Sequence, residues 1–140
     1  MLKTKSVAKK QNVHRLEEKE KILTIFRMLL HHYGKQNWWP GDTPLEIIIG
    51  AILVQRTRWE RAAQAIRRLK ELNMLDLEIL SAMSPESLEQ YIRGVNYYKQ
   101  KAMRIINLCK EIVNKYRSLD GLFTLDLEDL RKFLLSLKGI

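Results

Sequence analysis

The stretch Thr43-Pro-Leu-Glu-Ile-Ile-Ile-Gly-Ala-Ile-Leu-Val-Gln-Arg-Thr-Arg-Trp-Glu60 decides the fold. Thr43 can cap a helix, Pro44 suits the first helical position, and Glu46 stands where a capping-box partner belongs. Residues 45–54 are almost wholly apolar and predict a helix buried all round. At Gln55-Arg56-Thr57 the polarity flips. Thr57, with Glu60 three residues on, predicts a second capping box and a second helix that starts at once. A buried helix that delivers Gln-Arg-Thr to one fixed place is built to present those residues.

Working outward, helical period continues on both sides. Residues 14–33 carry Leu16, Ile22, Leu23, Ile25, Phe26, Leu29, Leu30 and Tyr33 at three- to four-residue spacing, and Gly34 can end that helix. His31 and His32 are adjacent, so they point about 100° apart and are poorly placed to chelate one metal. Trp38-Trp39-Pro40-Gly41 is a connector whose indoles could stack on bases or seal a loop onto the core. Residues 58–72 form a helix with Ala62, Ala65, Ile66, Leu69 and Leu72 on its inner stripe. Its Arg61 and Arg68, with Arg56 and Arg58 before it, can meet phosphates or simply face water.

A short helix near 77–83 follows, then Ser84-Pro85-Glu86 restarts the chain as a helix to about residue 93. Gly94 and Asn96 suit left-handed backbone angles in the turn beyond it. Residues 98–116 read as a long basic helix whose apolar row includes Cys109, a core position rather than a reactive thiol. Asp120-Gly121 is a turn, and Asp126 caps a last helix over 127–137. No strand pattern appears, so the fold class is all-α, an irregular helical bundle. Residues 1–12, with four lysines and no acid, read as a basic disordered tail before a domain over 13–140.

Composition bounds the function. The chain has 140 residues, 46% of them apolar, enough for one packed core. A net charge of +9 and a pI near 9.8 favour a polyanion, either nucleic acid or an anionic membrane surface. No apolar run approaches the roughly 18 residues of a membrane span, and no secretory leader is visible, so cytoplasm is the expected location. One cysteine excludes an internal disulfide and a cysteine-built metal site. No phosphate loop, metal-spaced cluster or nucleophile triad is visible.

Three runs carry a resemblance. Residues 45–60 resemble the N-terminal core of the endonuclease III-like DNA glycosylases, the helix-hairpin-helix superfamily of base excision repair. Tyr97-Tyr98-Lys99-Gln100-Lys101-Ala102 is similar to that family's Phe-Tyr-Asn-Gln-Lys-Ala segment. Leu134-Leu-Ser-Leu-Lys-Gly-Ile140 is similar to the opening of its hairpin, where the family continues Gly-Ile-Gly. The resemblance spans about 22–140, and Trp38-Trp39-Pro40 points to the 3-methyladenine-type branch. It implies most of a six-helix barrel domain, ending within the hairpin.

What it implies for function follows residue by residue. Gln55 would lie against DNA and fill the gap left by a flipped base, where an amide can both donate and accept. Arg56 stands where the family has a small or amide residue, and would add a phosphate or minor-groove contact. Thr57 matches the family. Lys138 and Gly139 begin the turn whose backbone N–H groups grip a phosphate. The family's catalytic lysine and aspartate, and the cysteines of its iron–sulfur cluster, come later in its sequence, so no catalytic residue, metal ligand or cofactor is assigned here. The expected activity of the full-length form is hydrolysis of the N-glycosidic bond at damaged bases, with or without abasic-site cleavage. The expected partners are duplex DNA with a damaged base or abasic site and a separately encoded C-terminal half. The chain alone is expected to be truncated and inactive, with Phe26, Leu29 and Leu30 lacking cover. A second reading is a non-catalytic helical module that binds DNA or protein. A membrane-surface protein is a third.

Overall fold

The computed structural model describes residues 2–35 and 41–139. Among them every regular element is helical, and no helix is long and apolar enough to cross a membrane. The chain divides into two compact units, Met1–Trp38 and Trp39–Ile140. Trp38, Trp39, Pro40 and Ile140, and with them both roles expected of the tryptophan pair, lie outside the described residues.

The first unit is the single helix α1, Leu2–Tyr33. It starts at Leu2 instead of His14, so the basic stretch expected as a disordered tail is helical. Lysine, alanine and glutamine are good helix formers, and no glycine or proline interrupts them. Gly34, at φ +67°, closes the helix through its N–H to the Leu30 carbonyl at 2.9 Å. Phe26, Leu29 and Leu30 are exposed, as are Ile22 and Ile25.

The second unit holds α2 (Pro44–Val54), α3 (Trp59–Glu71), α4 (Leu77–Ala82), α5 (Pro85–Ile92), α6 (Tyr98–Tyr116), α7 (Leu119–Leu122) and α8 (Leu127–Ser136). Helix α6 is the axis: α2, α4, α5 and α7 all pack on it. Its row of Ala102, Ile105, Ile106, Cys109 and Ile112 is fully buried, each isoleucine contributing about 1.5–3 kcal/mol relative to exposure. Tyr116, near its end, meets Phe133 of α8 edge to face at 5.0 Å.

Local caps explain where most helices begin. The hydroxyl of Thr43 accepts from the Glu46 N–H at 3.2 Å, and the Glu46 carboxylate accepts from the Asp42 N–H at 2.9 Å. Lys70 of α3 pairs with both Asp42 and Glu46, which fastens the start of α2 to α3. Asp76, Ser84 and Asp126 each accept backbone N–H bonds at their helix starts.

Several expectations are corrected. Helix α2 is not buried all round: Ile47 and Ala51, one turn apart, face outward. Leu72, expected on the α3 stripe, is exposed beyond the helix end. Asp120-Gly121 is not a bare turn but part of α7, capped by Ser118. Gly94 and Asn96 do not take left-handed angles; Tyr97 does, at φ 56°.

Cys109 sits in the core, and burial foremost, with the Asp76 charge second, pushes its thiol up to about 12. An unfolded thiol ionises near 9. Below pH 9 both states are therefore protonated, and between 9 and 12 the unfolded chain loses its proton first. The thiol thus costs native stability as pH rises above 9. The folded chain at pH 8 should resist thiol reagents that label it fully in urea; rapid native labelling would place Cys109 outside the core. Ile105→Ala should lower the unfolding free energy by about 2–5 kcal/mol in urea titration.

Candidate nucleic-acid interface

The corner after α2 is a tight turn. Gln55 has φ −54° and ψ 118°, Arg56 has φ 52°, and the Thr57 N–H donates to the Val54 carbonyl at 3.0 Å. This is a type II turn, whose third residue favours glycine or asparagine. A small or amide residue is therefore the relaxed choice at 56. Arginine there costs roughly 1–2 kcal/mol and is held by its surroundings: the Asn96 side-chain amide donates to the Arg56 carbonyl at 2.6 Å.

Thr57 turns inward. It does not cap α3, whose first turn lies behind Arg58 without a side-chain cap. Its hydroxyl instead accepts from the Asn96 N–H at 3.1 Å and from the Lys101 ammonium at 2.8 Å. A residue only 9% exposed has little surface to offer DNA, so Thr57 shapes the corner from within. The second capping box fails because this buried cation competes for the same oxygen.

Lys101 holds the corner. It is 2% exposed, and its three N–H groups reach the Leu53 carbonyl (2.7 Å), the Gln55 carbonyl (2.7 Å) and the Thr57 hydroxyl. It caps the negative C-terminal end of α2 from another helix. Burial foremost, then the neighbouring Arg104 charge, lowers its pKa from the usual lysine value.

In front of this clamp lies a concavity of about 440 Å³. Gln55, Arg56, Tyr97, Gln100, Lys101, Arg104 and Gly139 line it. The Gln55 amide is oriented from both ends: its Nε2 donates to the Gly139 carbonyl at 3.1 Å, and Arg104 donates to its Oε1 at 3.4 Å. Gly139 has φ +98°, an angle that L side chains rarely adopt, and a Cβ there would displace the Arg104 side chain. Among the described residues three cationic side chains border the space and no carboxylate side chain does. Such a surface suits an anion that brings its own acceptors.

The structure therefore unites Gln55, Arg56 and Gly139, expected from sequence, and places Thr57 behind them. Lys138 is exposed but does not line the concavity. Tyr97, Gln100, Lys101 and Arg104 were given no role by sequence reasoning. One signal existed for Lys101: it falls four residues before Ile105, in register with the buried row of α6. An iron–sulfur cluster of the kind the resemblance implies takes four cysteine thiolates. The chain has one cysteine, in the core, so the residues present do not fit that group.

The helical architecture and the glutamine corner define a class, and comparison with known proteins gives it a family. The model of the HhH-GPD superfamily of base excision DNA repair proteins matches residues 49–135, and the chain belongs to that superfamily. A protein of Methanocaldococcus jannaschii assigned as a DNA repair glycosylase is 37% identical over 123 residues, 86% of this chain and 56% of that protein. Endonuclease III of Thermotoga maritima is 36% identical over 73 residues, 52% of this chain and 34% of that one. The crystal structure of H. pylori 3-methyladenine DNA glycosylase bound to 1,N6-ethenoadenine superposes with a TM-score of 0.70 at 26% identity. That match covers 88% of this chain and 58% of the other. The chain thus spans about half the length of the first of these relatives.

Lys101→Met should lower stability by at least ~2 kcal/mol, because two carbonyls and a hydroxyl lose their donor at roughly 1–3 kcal/mol each. Lys101→Arg should not restore it, since a planar fork cannot reach three converging acceptors. Urea denaturation measures both; a loss under ~0.5 kcal/mol for Lys101→Met would remove the clamp from this account.

Proposed function

We propose that this chain contributes the DNA-holding half of a base excision repair glycosylase, with the Gln55 corner set against duplex DNA at a damaged base or abasic site. The observation that carries the reading is the oriented Gln55 amide in a concavity that, among the described residues, is bordered by cations and no carboxylate side chain. A flipped base leaves an unstacked gap and an orphan partner. An amide held at the tip of a rigid turn can enter that gap and bond the orphan. Arg56 stands beside it to meet a flanking phosphate, Arg104 adds positive charge while it orients the amide, and the exposed ring of Tyr97 offers a stacking surface. Removal of the base by N-glycosidic hydrolysis belongs to this reading as the activity of the enzyme. None of the corner residues is assigned as its nucleophile or base. The ethenoadenine bound by the H. pylori relative makes alkylated purines the first lesions to test.

The test is fluorescence anisotropy with matched duplexes that are intact, abasic or carry ethenoadenine. The chain should prefer damaged duplex, with affinity falling steeply as salt rises. Gln55→Ala should erase that preference, a change of about tenfold on the scale of ~1–3 kcal/mol per stacked base. Equal affinity for damaged and intact DNA, unchanged by Gln55→Ala, would overturn the reading.

A further inference from the structure

A second basic groove lies between α3 and α5. Its volume is about 120 Å³, and Arg61, Gln64, Ala65, Arg68, Tyr91 and Gly94 line it. Arg61, Gln64 and Arg68 fall on one face of α3, and each is exposed. Arg68 lies over the Tyr91 ring at 5.7 Å from its centroid, which limits the guanidinium's freedom before any ligand arrives. Neither arginine is within ion-pair distance of a described carboxylate. The space at Gly94 is open: a Cβ there would meet no atom within 4 Å. The groove has room for a phosphate and its water, at about 30 Å³ per water molecule.

Its chemistry differs from that of another concavity of this unit. That space, about 360 Å³, is bordered by Asp76, Glu78 and Asp120 against the single cation Arg117, and would repel phosphate. The α3–α5 groove also adjoins the corner along the chain on both sides. Arg61 follows Arg58, the residue before α3, by one turn. Gly94 precedes Asn96, whose two bonds hold Arg56 and Thr57, by two residues. From Arg61 to Arg68 the helix rises about 10 Å, the rise of about three nucleotides along one DNA strand.

We propose that this groove seats a backbone phosphate of the duplex whose damaged site the Gln55 corner engages, with Arg61 and Arg68 as its cations and Gln64 as a neutral donor. The proposal rests on the corner's reading as a DNA contact and extends the footprint along α3. A phosphate seat carries no sequence or lesion information. It sets register, so that Gln55 meets the gap.

Arg61→Gln/Arg68→Gln keeps two exposed, helix-compatible side chains and removes both charges. With the full chain, the slope of log K against log salt should fall by about one, on the scale of ~0.9 per phosphate. The affinity loss should be equal on intact and abasic duplex, and the preference that Gln55 confers should survive. Arg117→Asn, which removes a charge from the acid-lined concavity, should leave the slope unchanged. On titration with duplex, the Gly94 amide resonance should shift in the wild type and not in the double variant. An unchanged slope with DNA binding retained overturns the groove and leaves the corner standing. An equal fall for Arg117→Asn overturns it too, by reducing the effect to net charge, as does a Gly94 resonance that never moves. A wild type that binds no duplex overturns the corner's reading and this one together.

Discussion

The rest of this structure depends on one buried ammonium. Lys101 leaves water at considerable cost, and a lysine in a core survives only when each N–H finds an oxygen. Here all three do, and all three oxygens belong to the end of α2 and the turn beyond it. These are charge-assisted bonds, roughly twice as strong as neutral ones. Since α6 is the helix on which α2, α4, α5 and α7 pack, the clamp transmits the rigidity of the core to an exposed turn. Gln55 is therefore positioned by the interior, although its own side chain is in solvent.

The same clamp explains how a strained turn persists. Arg56 occupies a left-handed angle that an amide or glycine would take more easily. The Asn96 side chain grips its carbonyl, the Asn96 backbone grips Thr57, and Tyr97 takes a left-handed angle of its own next door. Two facing turns, each unfavourable alone, hold one another. Strain of this kind collects where a surface must present side chains in one geometry.

Charge is divided by face. Acidic residues near the helix starts are absorbed by caps and by the Lys70 pairs. Among the described residues, the concavity at Gln55 and the α3–α5 groove carry arginines without carboxylate side chains. A net charge of +9 spread evenly would mean little for partners. Arg56, Lys101 and Arg104 in one recess and Arg61 and Arg68 in the other place part of that charge at acceptor-poor sites that a phosphate backbone can fill.

Much of the fold was legible in the chain itself, because helix starts are local. Thr43, Ser84 and Asp126 lie within three residues of the N–H groups they cap, and the apolar row of α6 repeats at helical spacing. Gln55 and Gly139 could be named from their resemblance to a family's motifs. Caps and stripes could not show which way Thr57 turns, why Lys101 is buried or that Gly139 orients Gln55. Those bonds join residues 44, 46, 48 and 84 positions apart. Nor could they show that α2 leaves Ile47 exposed, since a helix apolar on every side does not say which side has a neighbour. Local chemistry determined the helices. Packing of distant segments decided the corner, because the oxygen that would cap α3 was taken by a cation from another helix.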